Sequence, residues 1–419
     1  MIFHTRKIYW LQRWAALFLT GILSGLGGML LAMLMHEIQH LAYGYSQHRL
    51  ISPQTFLKGV TDASAQRRFI VLMAAGVIAG VGWWLLARYG RKRVTIAAAV
   101  ASPDKPMPLL TTLIHIILQI VTVALGSPLG REVAPREAGA LFAGRIARRL
   151  RLSPEDCRLM IACGAGAGLA AVYNVPLAGA IFTLEVLLVS VSWDAAIAAL
   201  ATSALAAWVA SLGLGDEHQY HFTAEFAAGS LVYWALLSGP LIGVCAWLFR
   251  RMTQSARNRV RTDWQMPVFS LLAFTLLAVC AMWFPQLPGN GKGAAQLSLD
   301  GSLTAALAAT LLVLKVVIIC AVIRGGAAGG LLTPGLAVGG LLGTLLYLVA
   351  GGFFPGGDVE SFALLGATSF LAASTHMPVT AIALVMESTR MDHSFLVPVA
   401  LAVAGAYATC RGLESRHRL

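Results

Sequence analysis

Two glutamates and two arginines stand directly behind a long apolar run, in Gly126-Ser-Pro-Leu-Gly130-Arg131-Glu132-Val-Ala-Pro135-Arg136-Glu137. Ionisable residues at membrane depth are costly and mark ion or proton paths. Glycines ahead of a helix start expose backbone N–H groups, which together with the positive end of the helix dipole attract an anion. A carboxylate occupies that place when no anion does, and protonation releases it. Glu132 is therefore read as gate and proton carrier, with Gly130 and Arg131 beside it. The plainer reading is a helix-start acid paired with Arg131 or Arg136. Gly330-Leu331-Leu332-Thr333-Pro334, preceded by Gly325, Gly326 and Gly329, has the same form, and Thr333 adds a hydroxyl donor. Its plainer reading is small-residue helix packing.

Other spacings offer other chemistry. His36-Glu37-Ile38-Gln39-His40 fits the pattern of two imidazoles one helical turn apart with a glutamate base, and Asp300 offers a third metal ligand. An intramembrane zinc protease follows from that reading, but it leaves the glycine–proline breaks unexplained; an interfacial polar cap beside Tyr43 and Tyr45 is the simpler account. Gly289-Asn-Gly-Lys-Gly293 lacks the full phosphate-loop spacing and the hydroxyl residue after its lysine. Lys315 and Arg324 lie in or at the end of an apolar run, where they raise a pore's positive potential or snorkel to the interface. The six cysteines show no metal or redox spacing. No metal, nucleotide or organic cofactor is expected.

The elements that position these residues are membrane helices. Of 419 residues 58% are apolar and 12% charged, with a mean hydropathy of +0.73, which excludes a disordered chain and an ordinary soluble enzyme. The net charge of +12 is gathered in bursts between apolar stretches, such as Arg88/Arg91/Lys92/Arg93 and Arg145/Arg148/Arg149/Arg151. These read as cytoplasmic loops rather than as a nucleic-acid surface. Eleven apolar stretches recur, and breaks fall at Gly126–Pro135, Gly164–Pro176, Gly325–Pro334 and Ala372–Pro378. Broken backbone is tolerated at membrane depth only against protein or a water-filled cavity.

The breaks repeat. Ala171-Val-Tyr-Asn-Val-Pro176 with Glu185 nine residues past the proline is echoed by Ala373-Ser-Thr-His-Met-Pro378 with Glu387 nine past it. Both this pair and the glycine motifs are offset by about 200 residues. The chain therefore reads as two transmembrane repeats, 1–215 and 216–419. Paired interrupted segments point to a transporter's midplane site. Asn174 and His376 occupy matching points, where helix-break packing is the expected role.

The runs Gly130-Arg131-Glu132, 170–185, 326–334 and 372–387 resemble the CLC family of chloride channels and anion/proton antiporters, in the right order from about residue 70 to 405. The resemblance implies an all-α, polytopic, inverted-repeat bundle with broken helices, forming a homodimer in a bacterial inner membrane. Its partners would be a small inorganic anion, protons and the lipid bilayer, with no nucleic acid. It also implies that Glu132 is the gate and that Gly130, Arg131, Gly330, Leu331, Leu332 and Thr333 hold the anion. Tyr407 is the nearest candidate for the family's inner tyrosine. Three features depart from the pattern. Val133-Ala134 adds a residue before Pro135, no serine lies in Gly90-Arg-Lys-Arg-Val94, and Val186 stands where the inner proton-accepting glutamate is usual. Lack of the serine and Thr333 before Pro334 resemble the fluoride-exporting branch, and fluoride is a strong hydrogen-bond acceptor suited to a hydroxyl. Fluoride is thus favoured over chloride, and exchange over a passive channel.

Overall fold

Ser153-Pro154-Glu155-Asp156 begins a helix as physical chemistry dictates. The Ser153 hydroxyl accepts from the Asp156 amide, Pro154 needs no N–H at the first turn, and two acids meet the positive end of the dipole. The helix runs over Pro154–Tyr173 and stops at Asn174, which takes a left-handed conformation (φ 55°) and leads into Val175-Pro176. The same stop recurs at His376 (φ 58°), before Met377-Pro378. The expected packing role of Asn174 and His376 is thus a backbone one: both end a helix before a proline-started helix.

The computed structural model describes residues 2–46, 54–216, 218–224, 228–353 and 357–416. Its helices are α1 (Ile2–Tyr43), α2 (Phe56–Asp62), α3 (Ala65–Tyr89), α4 (Ile96–Ala101), α5 (Leu109–Ala124), α6 (Val133–Arg149), α7 (Pro154–Tyr173), α8 (Pro176–Phe182) and α9 (Trp193–Leu214). There follow α10 (Ala228–Asn258), α11 (Met266–Trp283), α12 (Lys292–Leu299), α13 (Ala305–Arg324), α14 (Leu332–Ala350), α15 (Val359–Thr375), α16 (Pro378–Thr389) and α17 (Leu396–Arg416). The fold is all-α. Among the described residues nine helices are long and apolar enough to cross a membrane, and four shorter apolar helices, α5, α8 with its π-helical continuation, α15 and α16, flank the breaks. Exposed Leu110, Leu212, Leu272 and Val313 suit a lipid-facing surface.

Two compact units are formed. One comprises Met1–Leu34, Leu85–Ile120 and Glu132–Gln219; the other comprises Met35–Trp84, Val121–Arg131 and Tyr220–Leu419. The core of the first is the α6–α7 pair. A Cβ on Gly139 would lie 1.9 Å from the Gly164 carbonyl oxygen, so these helices touch backbone to backbone. One sequence expectation is corrected here. Gly164 to Gly168 is not a break but lies within α7, because its small residues let neighbouring helices approach; the interruption comes only at Asn174 and Val175. In the second unit α14 and α15 pack alike, with a Gly339 Cβ falling 2.5 Å from the Gly366 carbonyl oxygen.

The two glycine-rich breaks are real. Gly126 (φ 107°) and Gly326 (φ 90°) turn the chain out of α5 and α13 in a conformation that glycine alone adopts cheaply. Irregular backbone then runs to α6 and α14.

Candidate anion and proton site

In the second unit the two glycine-rich breaks meet. Gly130 donates its N–H to the Gly330 carbonyl at 2.8 Å, and Gly330 donates to the Gly130 carbonyl at 2.9 Å. This reciprocal pair joins residues 200 positions apart and is an isolated antiparallel bridge between segments otherwise without strand structure. It fixes the start of α14 one residue onward, at the Leu331 N-cap. Leu332, Thr333 and Pro334 form the first turn, and Gly335 is the first residue to donate back, to Leu331. The first turn of a helix presents N–H groups along its axis at the positive end of the dipole. Arg131, buried, sets Nη1 3.9 Å from the Met35 sulfur.

A scaffold behind this bridge holds it. Gly289 donates to the Gly126 carbonyl at 2.8 Å, and the Tyr43 hydroxyl donates to the Leu125 carbonyl at 3.0 Å. Lys315 is 1% exposed, so it does not snorkel; its ammonium donates to the Leu287 and Gly289 carbonyls at 3.2 and 3.4 Å. The 287–291 loop thus runs from a buried cation to the Gly126 break, and a Cβ on Gly291 would meet the Thr333 carbonyl oxygen at 3.3 Å. Lys315→Met leaves two buried carbonyls without their donor, each worth about 1–3 kcal/mol. We expect a lower thermal midpoint of the detergent-solubilised protein, read by tryptophan fluorescence, and partial recovery in Lys315→Arg.

In the first unit Glu132 is the N-cap of α6 and is fully buried. Its carboxylate accepts from the Tyr173 hydroxyl at 3.1 Å. Arg136, one turn on, lays its guanidinium 4.2 Å from the centre of the Phe182 ring. Tyr173 stands inside the repeated Ala171–Pro176 run, yet nothing in its spacing points at Glu132. Glu185 and Val186 lie in a π-helical segment, Thr183–Leu188. An extra residue per turn there shifts the register that linear counting assumes.

Two hydroxyls were also missed. Thr95 caps α4, its oxygen accepting from the Ala98 amide at 3.2 Å. A hydroxyl that accepts still has its own proton to give, so the Gly90–Val94 region is followed at once by the kind of group it lacks. Ser127, inside the first glycine motif, is buried with no hydrogen-bond partner for its oxygen among the described residues.

Tyr407 lies on α17 in the second unit. Its ring is edge-on to His376 at 5.9 Å and under the Arg411 guanidinium at 6.0 Å. His376 in turn meets Glu414, which also accepts from Arg250 at 2.7 Å. His36 and His40 stack at 6.4 Å. Among the described residues the group spaced to hold a metal is His376, Cys410 and Glu414 rather than this pair.

The comparisons with known proteins agree with one another. Residues 72–411 match the family described as voltage gated chloride channel. The chain is 28% identical over 349 residues to the voltage-gated ClC-type chloride channel ClcB of Shigella flexneri, covering 80% of this chain and 82% of that one. A slow cyanobacterial Cl-/H+ antiporter shares the fold with a TM-score of 0.80 at 17% identity, covering 96% of this chain and 95% of the other. A CLC-type fluoride/proton antiporter does so with a TM-score of 0.67 at 20% identity, covering 95% and 96%. With its repeated broken helices and buried helix-start glutamate, the chain belongs to the CLC family of multi-pass membrane anion channels and transporters, and not to a family of enzymes.

Proposed function

We propose that this protein exchanges a small halide for protons across a bacterial inner membrane, as a homodimer with one pathway in each subunit. The observation that carries the reading is the double hydrogen bond between Gly130 and Gly330. It clamps together the two glycine-rich breaks within the second unit. Gly330, tied to Gly130 through its own N–H, positions Leu331, Leu332 and Thr333, which hold the anion through backbone N–H groups and the Thr333 hydroxyl, favoured by the dipole of α14. Gly130 and Arg131 shape the approach. Glu132 competes with the anion when ionised and carries a proton when neutral.

Thr333 favours fluoride, the halide that gains most from a hydroxyl donor. Chloride is the second reading, supported by Thr95 at the start of α4 and by the chloride named for the Shigella relative. Fluoride and chloride efflux from liposomes, measured side by side with ion-selective electrodes, separates the two. Faster fluoride flux is expected; equal or faster chloride flux defeats that choice. Thr333→Val removes one hydrogen bond at nearly constant volume, and should lower fluoride flux relative to chloride by roughly tenfold, the ratio expected from a bond of about 1–1.5 kcal/mol.

A further inference from the structure

The usual inner proton-accepting glutamate is replaced by Val186, yet the first unit holds another buried acid. Glu137 lies five residues past Glu132 on α6 and is 5% exposed. Gln119 of α5, fully buried, donates to its carboxylate at 3.0 Å, and the Nε2 of His115, 1% exposed and one turn earlier on α5, lies 3.6 Å from the same oxygen. Arg93, exposed on the basic Arg91-Lys92-Arg93 loop, sets Nη1 against both ring nitrogens of His115, 2.8 Å from Nδ1 and 2.5 Å from Nε2. The Arg91 amide donates to Thr111 at 3.1 Å, which ties this loop to α5. A line of polar groups thus leads from an exposed basic loop through an imidazole to a buried carboxylate, on the helix that the gating glutamate caps.

We propose that His115 and Glu137 form the proton entrance of the exchanger on the side of the 90–95 loop, doing the work of the missing glutamate. The proposal rests on the proton-coupled reading above. Glu137 is the acceptor and His115 the conduit. An imidazole binds a proton on Nδ1 and releases the one on Nε2, so an N–H bond forms as another breaks and an O–H bond forms on Glu137. The ring ends neutral, as the other tautomer, and the carboxyl ends neutral. At 3.6 Å the pair sits roughly 0.5 Å beyond hydrogen-bond length, a gap closed by a small rotamer shift or one water. The groups facing the pair are Arg93 from the loop, Gln119 from α5, and Arg136 from α6, whose charge acts on both Glu132 and Glu137. Arg93 places a fixed positive charge on the loop side of the imidazole. Arg136 provides an electrostatic link through which loading of one acid alters the other.

The test uses the purified full-length protein in liposomes, with halide flux read by electrode and proton flux by a pH electrode, for wild type, Glu137→Gln, Glu137→Asp and His115→Gln. In Glu137→Gln we expect the ratio of protons to halide to fall on the order of a hundredfold, as for loss of a positioned proton carrier, with substantial recovery in Glu137→Asp. His115→Gln should lower the ratio too, more strongly at high pH, where protons are scarce on the loop side. A ratio equal to wild type in both Glu137→Gln and His115→Gln overturns the proposal. If Glu137→Gln does not assemble, His115→Gln decides alone by the same criterion. Wild-type protein that moves halide without protons defeats the exchange reading itself, a result distinguishable from failure of this entrance.

Discussion

Glu132→Gln should uncouple the protein: halide flux continues, while halide-driven proton flux falls on the order of a hundredfold, the lower end of what a positioned proton carrier contributes. The substitution is nearly isosteric. The glutamine carbonyl still accepts from the Tyr173 hydroxyl, which approaches the native carboxylate at 3.1 Å, so the start of α6 keeps its geometry. What is lost is the ability to gain and lose a proton, and with it the charge that competes with an anion for the helix N-terminus. Tyr173→Phe provides a contrast. It removes one hydrogen bond of about 1 kcal/mol and leaves the acid titratable, so it should change the rate several-fold while keeping the exchange coupled. Parallel halide and proton recordings on both variants read the difference. Unchanged coupling in Glu132→Gln would remove this residue from the mechanism.

The second large effect concerns folding. A Cβ on Gly168 would lie 2.1 Å from the Pro135 carbonyl oxygen and 3.0 Å from the Arg136 nitrogen. Those obstacles are backbone atoms in the first turns of α6, which no rotamer change relieves. Overpacking a core typically costs about 1–3 kcal/mol, and a clash of this depth with main chain exceeds that range unless α6 moves. Movement of α6 displaces Glu132 and Arg136 together. Gly168→Ala is therefore expected to yield little folded protein, or folded protein with disturbed coupling. Gly412→Ala serves as the control, because a Cβ there meets nothing within 4 Å. Monodisperse yield by size-exclusion chromatography and the thermal midpoint compare the two. Equal yield and midpoint would show that α6 and α7 are not packed as closely as described.

Much of the site could be read from the letters because its signals are local. A glycine motif followed by a helix start, and a proline two residues after a helix stop, are set by backbone conformations available to few residue types. Their recurrence about 200 residues later is an architectural signal that single motifs lack. Gly130 and Gly330, equivalent positions of the two repeated motifs, are joined by a pair of hydrogen bonds. The illegible parts are long-range or depend on register. Tyr173 reaches Glu132 from 41 positions away, and His115 reaches Glu137 from a different helix. Gly164, Gly166 and Gly168 carry the same letters as a break, but a helix that packs on other helices needs small residues for contact rather than for turning. The π-helical segment at Thr183–Leu188 adds a residue to a turn, which counting along a sequence does not reveal. Lys315 was poised between a pore charge and a snorkelling one; only its contacts with the 287–291 loop decide that it is buried.

Coupling itself is tested most directly with the unmodified protein. Liposomes containing it are loaded with halide, diluted into halide-poor buffer at a slightly higher external pH, and held at a membrane potential clamped by potassium and valinomycin. Exchange predicts that halide leaving the vesicles drives protons inward against their own gradient, so that the interior acidifies. Halide efflux accompanied by proton movement only down the proton gradient would contradict the account and leave a passive anion pathway in its place.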